Sequence, residues 1–459
     1  MQIGNKARGR RWSAAKIGER LFFDLPLFRH VWKPLLKRHI TGGWDAMVFR
    51  PAELEYPFRT DGLSLYLHVP FCRQPCPYCP YNRVKYDESR YSLYESAVHR
   101  EIDRYSDRLL NGGRNDGATN LRLGSLYIGG GTPTLRPASL ATIVGHIVDA
   151  FGTPTDICVE CHPATMDDEC IEALRTMGVT MVSIGVESIS DRLLELIGRS
   201  HDAETAVNAV RRAVAAGFDS VNADIMFALP TETLDDLDRD LRTVFDLGID
   251  QITTYPIFGF PYTKLGKRLG IKLILRPPAE LIRDMLDLTR IRSVERGLKR
   301  CSVWSYKRPG HTKFSSTTRD YYIGFGPGAA SMTGRQFYLN TFSIEEYASL
   351  VSERLPVALV MPIKPKLEMA IWLYWRIYEM SIPSGSFREL FGMELDDVYG
   401  RALSWLERLG IVARNGGSYD VTESGSYWIH RIQNEYALNY IDRVWSRCRE
   451  DAWPSSIRL

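Results

Sequence analysis

The chain has no apolar run long enough to cross a bilayer, and its N-terminus lacks the uninterrupted apolar segment of a secretory signal. A membrane role is therefore not expected, and the cytoplasm is the expected compartment. Its 58 basic residues against 55 acidic ones leave a net charge of only +3, too little to argue for a nucleic-acid partner. Cysteine is sparse, eight residues in 459, and shows no disulfide framework. A Walker loop and a G-x-G-x-x-G dinucleotide fingerprint are missing, as are internal repeats and low-complexity tracts. What remains is ordinary globular material, 44% hydrophobic and 25% charged, enough for one large domain with one or two smaller ones.

Against that sparse background, three cysteines fall in one short stretch, YLHVPFCRQPCPYCPYNR, from Tyr66 to Arg83. Cys72, Cys76 and Cys79 follow an apolar strand-like run over residues 63–69. Soft thiolates at C-x3-C-x2-C spacing suit one iron–sulfur cube, and three ligands in place of four leave one iron open for chemistry. A zinc site completed by His68 or a distant cysteine, and thiols with no metal, are the alternatives. Cys158, Cys161, Cys170, Cys301 and Cys448 are scattered; strand alternation sends Cys158 and Cys161 to opposite faces, a packing role.

The first sixty residues form a basic and aromatic extension. Strand-like runs then follow at 63–69, 125–128, 157–160, 181–185, 220–228 and 251–258. Between them lie helical patterns at 89–110, 139–151, 168–177, 203–216 and 234–247. Six such units predict an α/β fold, a partial (β/α)6 TIM-like barrel over residues 61–265, open on one side. Ligand chemistry in such folds gathers at the carboxyl ends of the strands. There stand Gly129, Gly130, Gly131 and Thr132 after the second strand, Glu160 after the third, Glu187 after the fourth, and Asn222 with Asp224 on the fifth. Three carboxylates ending three apolar strands point to ribose hydroxyls or an ammonium group. A connecting segment is expected over 266–350. Helical patterns at 366–380, 386–391 and 396–409, with an Asn-Gly hairpin signal inside 411–421, predict a small winged-helix-like domain over 351–459.

The cysteine loop resembles the signature of the radical S-adenosylmethionine (SAM) superfamily, C-x3-C-x-aromatic-C, with Tyr78 as the aromatic. The resemblance implies a [4Fe–4S] cluster on Cys72, Cys76 and Cys79, and SAM cleaved to a 5′-deoxyadenosyl radical. Over roughly residues 60–440 the chain is similar to the oxygen-independent coproporphyrinogen dehydrogenase (HemN-like) branch, in which two SAM molecules bind. By that likeness Tyr66, Gly130, Glu160 and Ala330 contact the SAM on the cluster. Tyr78, Gly131, Thr132, Glu187, Arg199 and Asp224 line the second. Cys72, Cys76, Cys79 and Glu187 count as catalytic. Glu187 stands where the branch has glutamine, and the glycine-rich YYIGFGPGAASM segment from Tyr321 resembles its closing element.

Three activities follow from this likeness. The decarboxylases of the branch carry a further cysteine two residues after the third ligand, where this chain has Tyr81. The haem chaperones carry a His-Asn-x-x-Tyr signature, which the segment after His311 lacks. The expectation is thus class C chemistry: C-methylation or cyclopropanation of a small-molecule substrate, with the second SAM as one-carbon donor. A flavodoxin- or ferredoxin-type electron donor and a partner methyltransferase go with that reading, on a monomeric chain.

Overall fold

The computed structural model describes residues 47–459 except 56–57, 59–61, 112–122, 272–274, 276 and 316–319, and the side chains of 110–111 and 431–439. The basic and aromatic residues of the first 46 positions lie outside it. Strands β1 (Ser64–Val69), β2 (Ser125–Gly130), β3 (Asp156–Cys161), β4 (Met181–Glu187), β5 (Ser220–Phe227) and β6 (Gln251–Pro256) pair in parallel, in chain order. Their near-continuous burial is what a parallel sheet covered on both faces requires.

Polar caps start the crossover helices. Asp87, Asp167 and Asp202 each accept a backbone N–H of the following turn, and Thr233 forms a capping box with Asp236. Helix Glu88–Ser106 buries Tyr94, Ala97, Val98, Ile102 and Tyr105, the residues whose spacing predicted it.

The partial barrel is extended at both edges. Short strands β7 (Lys299–Arg300) and β8 (Ser305–Lys307) add antiparallel beside β6. On the other side β9 (Tyr322–Phe325) lies parallel to β1 and supplies a seventh parallel strand that the sequence rhythm did not announce. Strands β10 (Ala330–Met332), β11 (Gln336–Asn340) and β12 (Val357–Pro362) continue antiparallel, completing one open sheet of twelve strands. Glycine makes the β9 return possible. A Cβ at Gly326 would lie 2.5 Å from the His68 carbonyl oxygen, and one at Gly328 would lie 2.8 Å from Asn82 Nδ2.

Beyond the sheet, helices Pro365–Tyr378, Ser384–Phe391 and Leu395–Arg408 pack with a three-stranded sheet holding the hairpin Val412–Asn415 and Ser418–Val421. This module has its own apolar core around Trp372, Phe387 and Tyr419. The 28-residue helix Glu423–Glu450 follows and returns to the barrel. Among the described residues no helix is long and apolar enough to cross a membrane.

Candidate functional site

Side chains facing the barrel interior form two layers. The lower one joins Tyr66, Tyr127, Cys158, Met181 and Phe314. Cys161 points the other way, into the main core, so strand alternation divides the two cysteines as expected. The upper layer is polar and sits at the strand ends.

Cys72 and Cys76 are buried and Cys79 is half-buried. The loop is cinched at its base: Phe71–Cys72 pairs in parallel with Val84–Lys85, and Tyr86 N donates to the Cys72 carbonyl at 2.9 Å. The glycine run fits against it. Thr132 N donates to the Phe71 carbonyl at 2.7 Å, and a Cβ at Gly131 would lie 2.5 Å from that oxygen. The Thr132 side chain also hydrogen-bonds the Cys72 thiol. Burial pushes the Cys79 thiol up to about 12. Arg83 and Arg199 act in the opposite sense on Cys72, favouring thiolate. No two of the eight cysteines form a disulfide, and of the five outside this loop Cys158, Cys161, Cys170 and Cys448 are buried and Cys301 is half-buried.

His68 is not a spare ligand. Its Nε2 faces the Asn82 carbonyl at 2.8 Å, so it donates, and Nδ1 accepts from the Tyr66 hydroxyl at 2.7 Å. Burial lowers its pKa to about 4, keeping it neutral. With both ring nitrogens so engaged, His68 offers no free nitrogen to the zinc alternative. Among the described residues no three His, Cys, Asp or Glu side chains are grouped to share one metal ion; a cubane instead takes its thiolates on separate irons.

The three strand-end carboxylates are each held differently. Glu160 accepts from the Tyr127 hydroxyl at 2.5 Å and from Gly130 N at 3.1 Å, and burial raises its pKa. It needs the missing side chain of Gly129, where a Cβ would lie 2.8 Å from its carboxyl carbon. Glu187, in a left-handed backbone conformation with φ 65°, accepts from Tyr78 at 3.2 Å and Tyr255 at 2.7 Å. Arg199 Nη1 lies 3.7 Å from the same carboxylate and 3.6 Å from Cys76 Sγ, and its Nη2 donates to the Gly185 carbonyl. The charge that replaces the branch's neutral glutamine is therefore met by a buried guanidinium. Asp224 accepts from Ser183 at 2.9 Å and Asn222 at 2.8 Å; burial, then Glu187, raises its pKa to about 8.

Tyr66, Tyr78, Gly130, Gly131, Thr132, Glu160, Glu187, Arg199 and Asp224 thus gather around the cysteine loop. Ala330 is not among them: its carbonyl covers Gly324 on β9, and its side chain packs with a separate apolar core. Tyr127, Tyr255 and Asn82 were missed. Strand register held the signal for the first, since Tyr127 pairs with Tyr66 and stands two residues before Gly129 on the same face. Asn82 Nδ2 donates to the carbonyls of Pro327 and Phe342, tying the loop to the closing segment, a contact between distant residues that no local pattern announces.

Residues 66–244 match the radical SAM superfamily. The heme chaperone HemW of Bacillus subtilis is 24% identical over 371 residues, covering 79% of this chain and 96% of that protein. The oxygen-independent coproporphyrinogen III oxidase of Salmonella typhimurium is 26% identical over 334 residues, covering 68% and 70%. The solved structure of the Escherichia coli coproporphyrinogen III oxidase, HemN, superposes with a TM-score of 0.68 at 20% identity, covering 83% of this chain and 90% of that one. These likenesses overturn the class C expectation. C-methylation and cyclopropanation, with a one-carbon donor role for a second SAM and a partner methyltransferase, find no counterpart among relatives named as heme chaperones and coproporphyrinogen oxidases. Retaining two-SAM contacts without the neighbouring signatures was too weak a basis, because pocket residues can persist while the chemistry differs. The radical SAM match over residues 66–244 implies a [4Fe–4S] cluster and SAM. With its matched segment and its cysteine loop at the strand ends, the chain resembles radical SAM proteins of the HemN-like kind, among them relatives named as heme chaperones and oxygen-independent coproporphyrinogen III oxidases.

Proposed function

We propose that this chain binds a [4Fe–4S] cluster through Cys72, Cys76 and Cys79, binds SAM beside it, and takes up a haem-type tetrapyrrole at the barrel mouth. The observation that carries the reading is the convergence of the three thiols with Glu160, Glu187, Asp224 and Arg199 at one end of the sheet. When bound, the cluster and SAM supply one-electron cleavage of the sulfonium, with the electron from a flavodoxin- or ferredoxin-type donor. The chain's own residues bind and orient. Glu160, held by Tyr127 and Gly130, offers its remaining lone pairs to an ammonium or to ribose hydroxyls. Arg199 balances Glu187 and faces Cys76, and its buried Nε has no partner among the described residues, a donor left for a bound acceptor. Asp224 stands two strands from Glu160, about 10 Å away at the usual strand spacing, enough for a second SAM beside the first.

Between the activities named for the relatives, haem binding is favoured. The chaperone likeness spans nearly the whole relative, and Tyr81 occupies the position where the decarboxylases carry their additional cysteine. The chaperones' His-Asn-x-x-Tyr signature is missing, so the haem contact would use other residues. The segment where it would stand includes 316–319, outside the described residues.

The test is anaerobic reconstitution followed by two assays. About four irons per chain are expected, with 5′-deoxyadenosine released on reduction and a saturable Soret shift on hemin titration. A Cys76→Ala chain that still loads a full cluster and cleaves SAM would refute the ligand assignment. Stoichiometric carbon dioxide from coproporphyrinogen III, without hemin binding, would replace the haem reading with decarboxylation.

A further inference from the structure

The C-terminal helix Glu423–Glu450 reaches across the molecule to the cysteine loop. The Trp445 ring lies 5.4 Å from that of Tyr81, and Arg449 Nη1 donates to the Tyr81 carbonyl at 3.1 Å. Arg83 Nη1 donates to that same carbonyl at 3.4 Å, and its Nη2 donates to the Cys76 carbonyl. Tyr262 completes the contact. Its ring lies under the Arg449 guanidinium, 5.7 Å from centroid to Cζ, and its hydroxyl donates to the Pro80 carbonyl at 3.0 Å. Two guanidiniums therefore share one carbonyl two residues past Cys79.

Like charges held this close are costly unless an anion offsets them. Among the described residues neither arginine forms an ion pair with a carboxylate, and Arg83 Nε is buried with no partner. Burial, then Arg83, lowers the pKa of Arg449, while Tyr262 and Cys79 raise it. The negative charge this pair would face is that of the cysteine sulfurs once they ligate the cluster. Cluster potentials follow net charge, hydrogen bonding and solvent exposure, so two cations on the loop backbone favour the reduced, more negative state.

We propose that Arg449, delivered by the C-terminal helix, forms with Arg83 a cationic clamp that holds the cysteine loop and raises the reduction potential of its cluster. Arg449 is then a positioning residue some 370 positions from the cysteines it serves. The inference rests on the cluster reading of Cys72, Cys76 and Cys79.

The experiment compares the reconstituted full chain with its Arg449→Gln and Arg449→Lys variants by iron content and by redox titration followed by electron paramagnetic resonance. A wild-type chain that holds no iron would defeat the cluster reading itself. With iron held, the Gln variant should keep about four irons and titrate at a more negative potential, and the Lys variant should return towards wild type. If the Gln variant loses its iron, the Lys variant decides. Regained iron at a near-wild-type potential upholds the clamp, whereas loss there too makes the contact mere packing and overturns it. An unchanged potential in the Gln variant, with a raised KM for an acidic flavodoxin, also overturns it and turns the pair into a docking site.

Discussion

Two sets of carboxylates in and beside this sheet differ in what is left over on them. Glu101, on helix Glu88–Ser106, is fully buried and accepts from Tyr347, from Gly326 N at 2.8 Å and from Asn340 at 2.7 Å. It locks the closing segment against the helix. Glu160 and Asp224, at the mouth, accept only two bonds each among the described residues and remain partly exposed. Burial raises the pKa of all three. A perturbed carboxyl is therefore no marker of function in this chain; reachable spare acceptor capacity is what separates a binding carboxylate from a structural one.

Exchanging the two sets is the strongest way to break that contrast. Glu101→Ala strands three buried donors and should cost about 3 kcal/mol in urea unfolding while leaving SAM affinity of the folded protein unchanged. The reverse outcome would make Glu101 part of the site. Glu160→Gln should weaken SAM binding about tenfold, roughly 1.4 kcal/mol by calorimetry, with a smaller change in stability. Equal losses in both measurements would erase the distinction.

Asp224 sharpens the contrast through pH. Its folded pKa is raised from 3.8 to about 8, so the fold favours the protonated acid. Its contribution to stability is present below about pH 4, declines as pH rises, and is gone above about pH 8. Asp224→Asn should flatten that part of the stability profile of the metal-free protein. An unaltered slope between pH 5 and pH 8 would place the titration elsewhere.

Glu187→Gln, which restores the residue type usual in the branch, should have the smallest effect. Tyr78 and Tyr255 keep an acceptor, but Arg199 loses its countercharge. A loss of about 1 kcal/mol is expected in thermal or urea unfolding. A gain in stability would mean that the charge at this position is a burden the mouth carries for a ligand.

Much of the fold was legible because its causes are local. Short apolar runs and period-3.6 patterns match six strands and their crossover helices, and Ala203–Ala216 falls on its predicted bounds. Helices Asp191–Ile197 and Ala279–Glu295 and the long C-terminal helix went unread. The first spans only seven residues, and the other two have weak amphipathic patterns. Strand β9 has only four residues and includes Gly324; it is a strand because β1 offers it an unpaired edge.

The sequence by itself determined the chemistry that needs only spacing: three thiols within eight residues, an adjoining aromatic, and glycines where a strand ends. Those choices are fixed by bond lengths and backbone freedom over a few residues. Tertiary structure alone decided which carboxylates remain reachable, why Gly129 must lack a side chain, and that Arg449 meets Tyr81. Burial and hydrogen-bond saturation depend on neighbours brought together by chain closure across hundreds of residues, and no window along the sequence contains both partners.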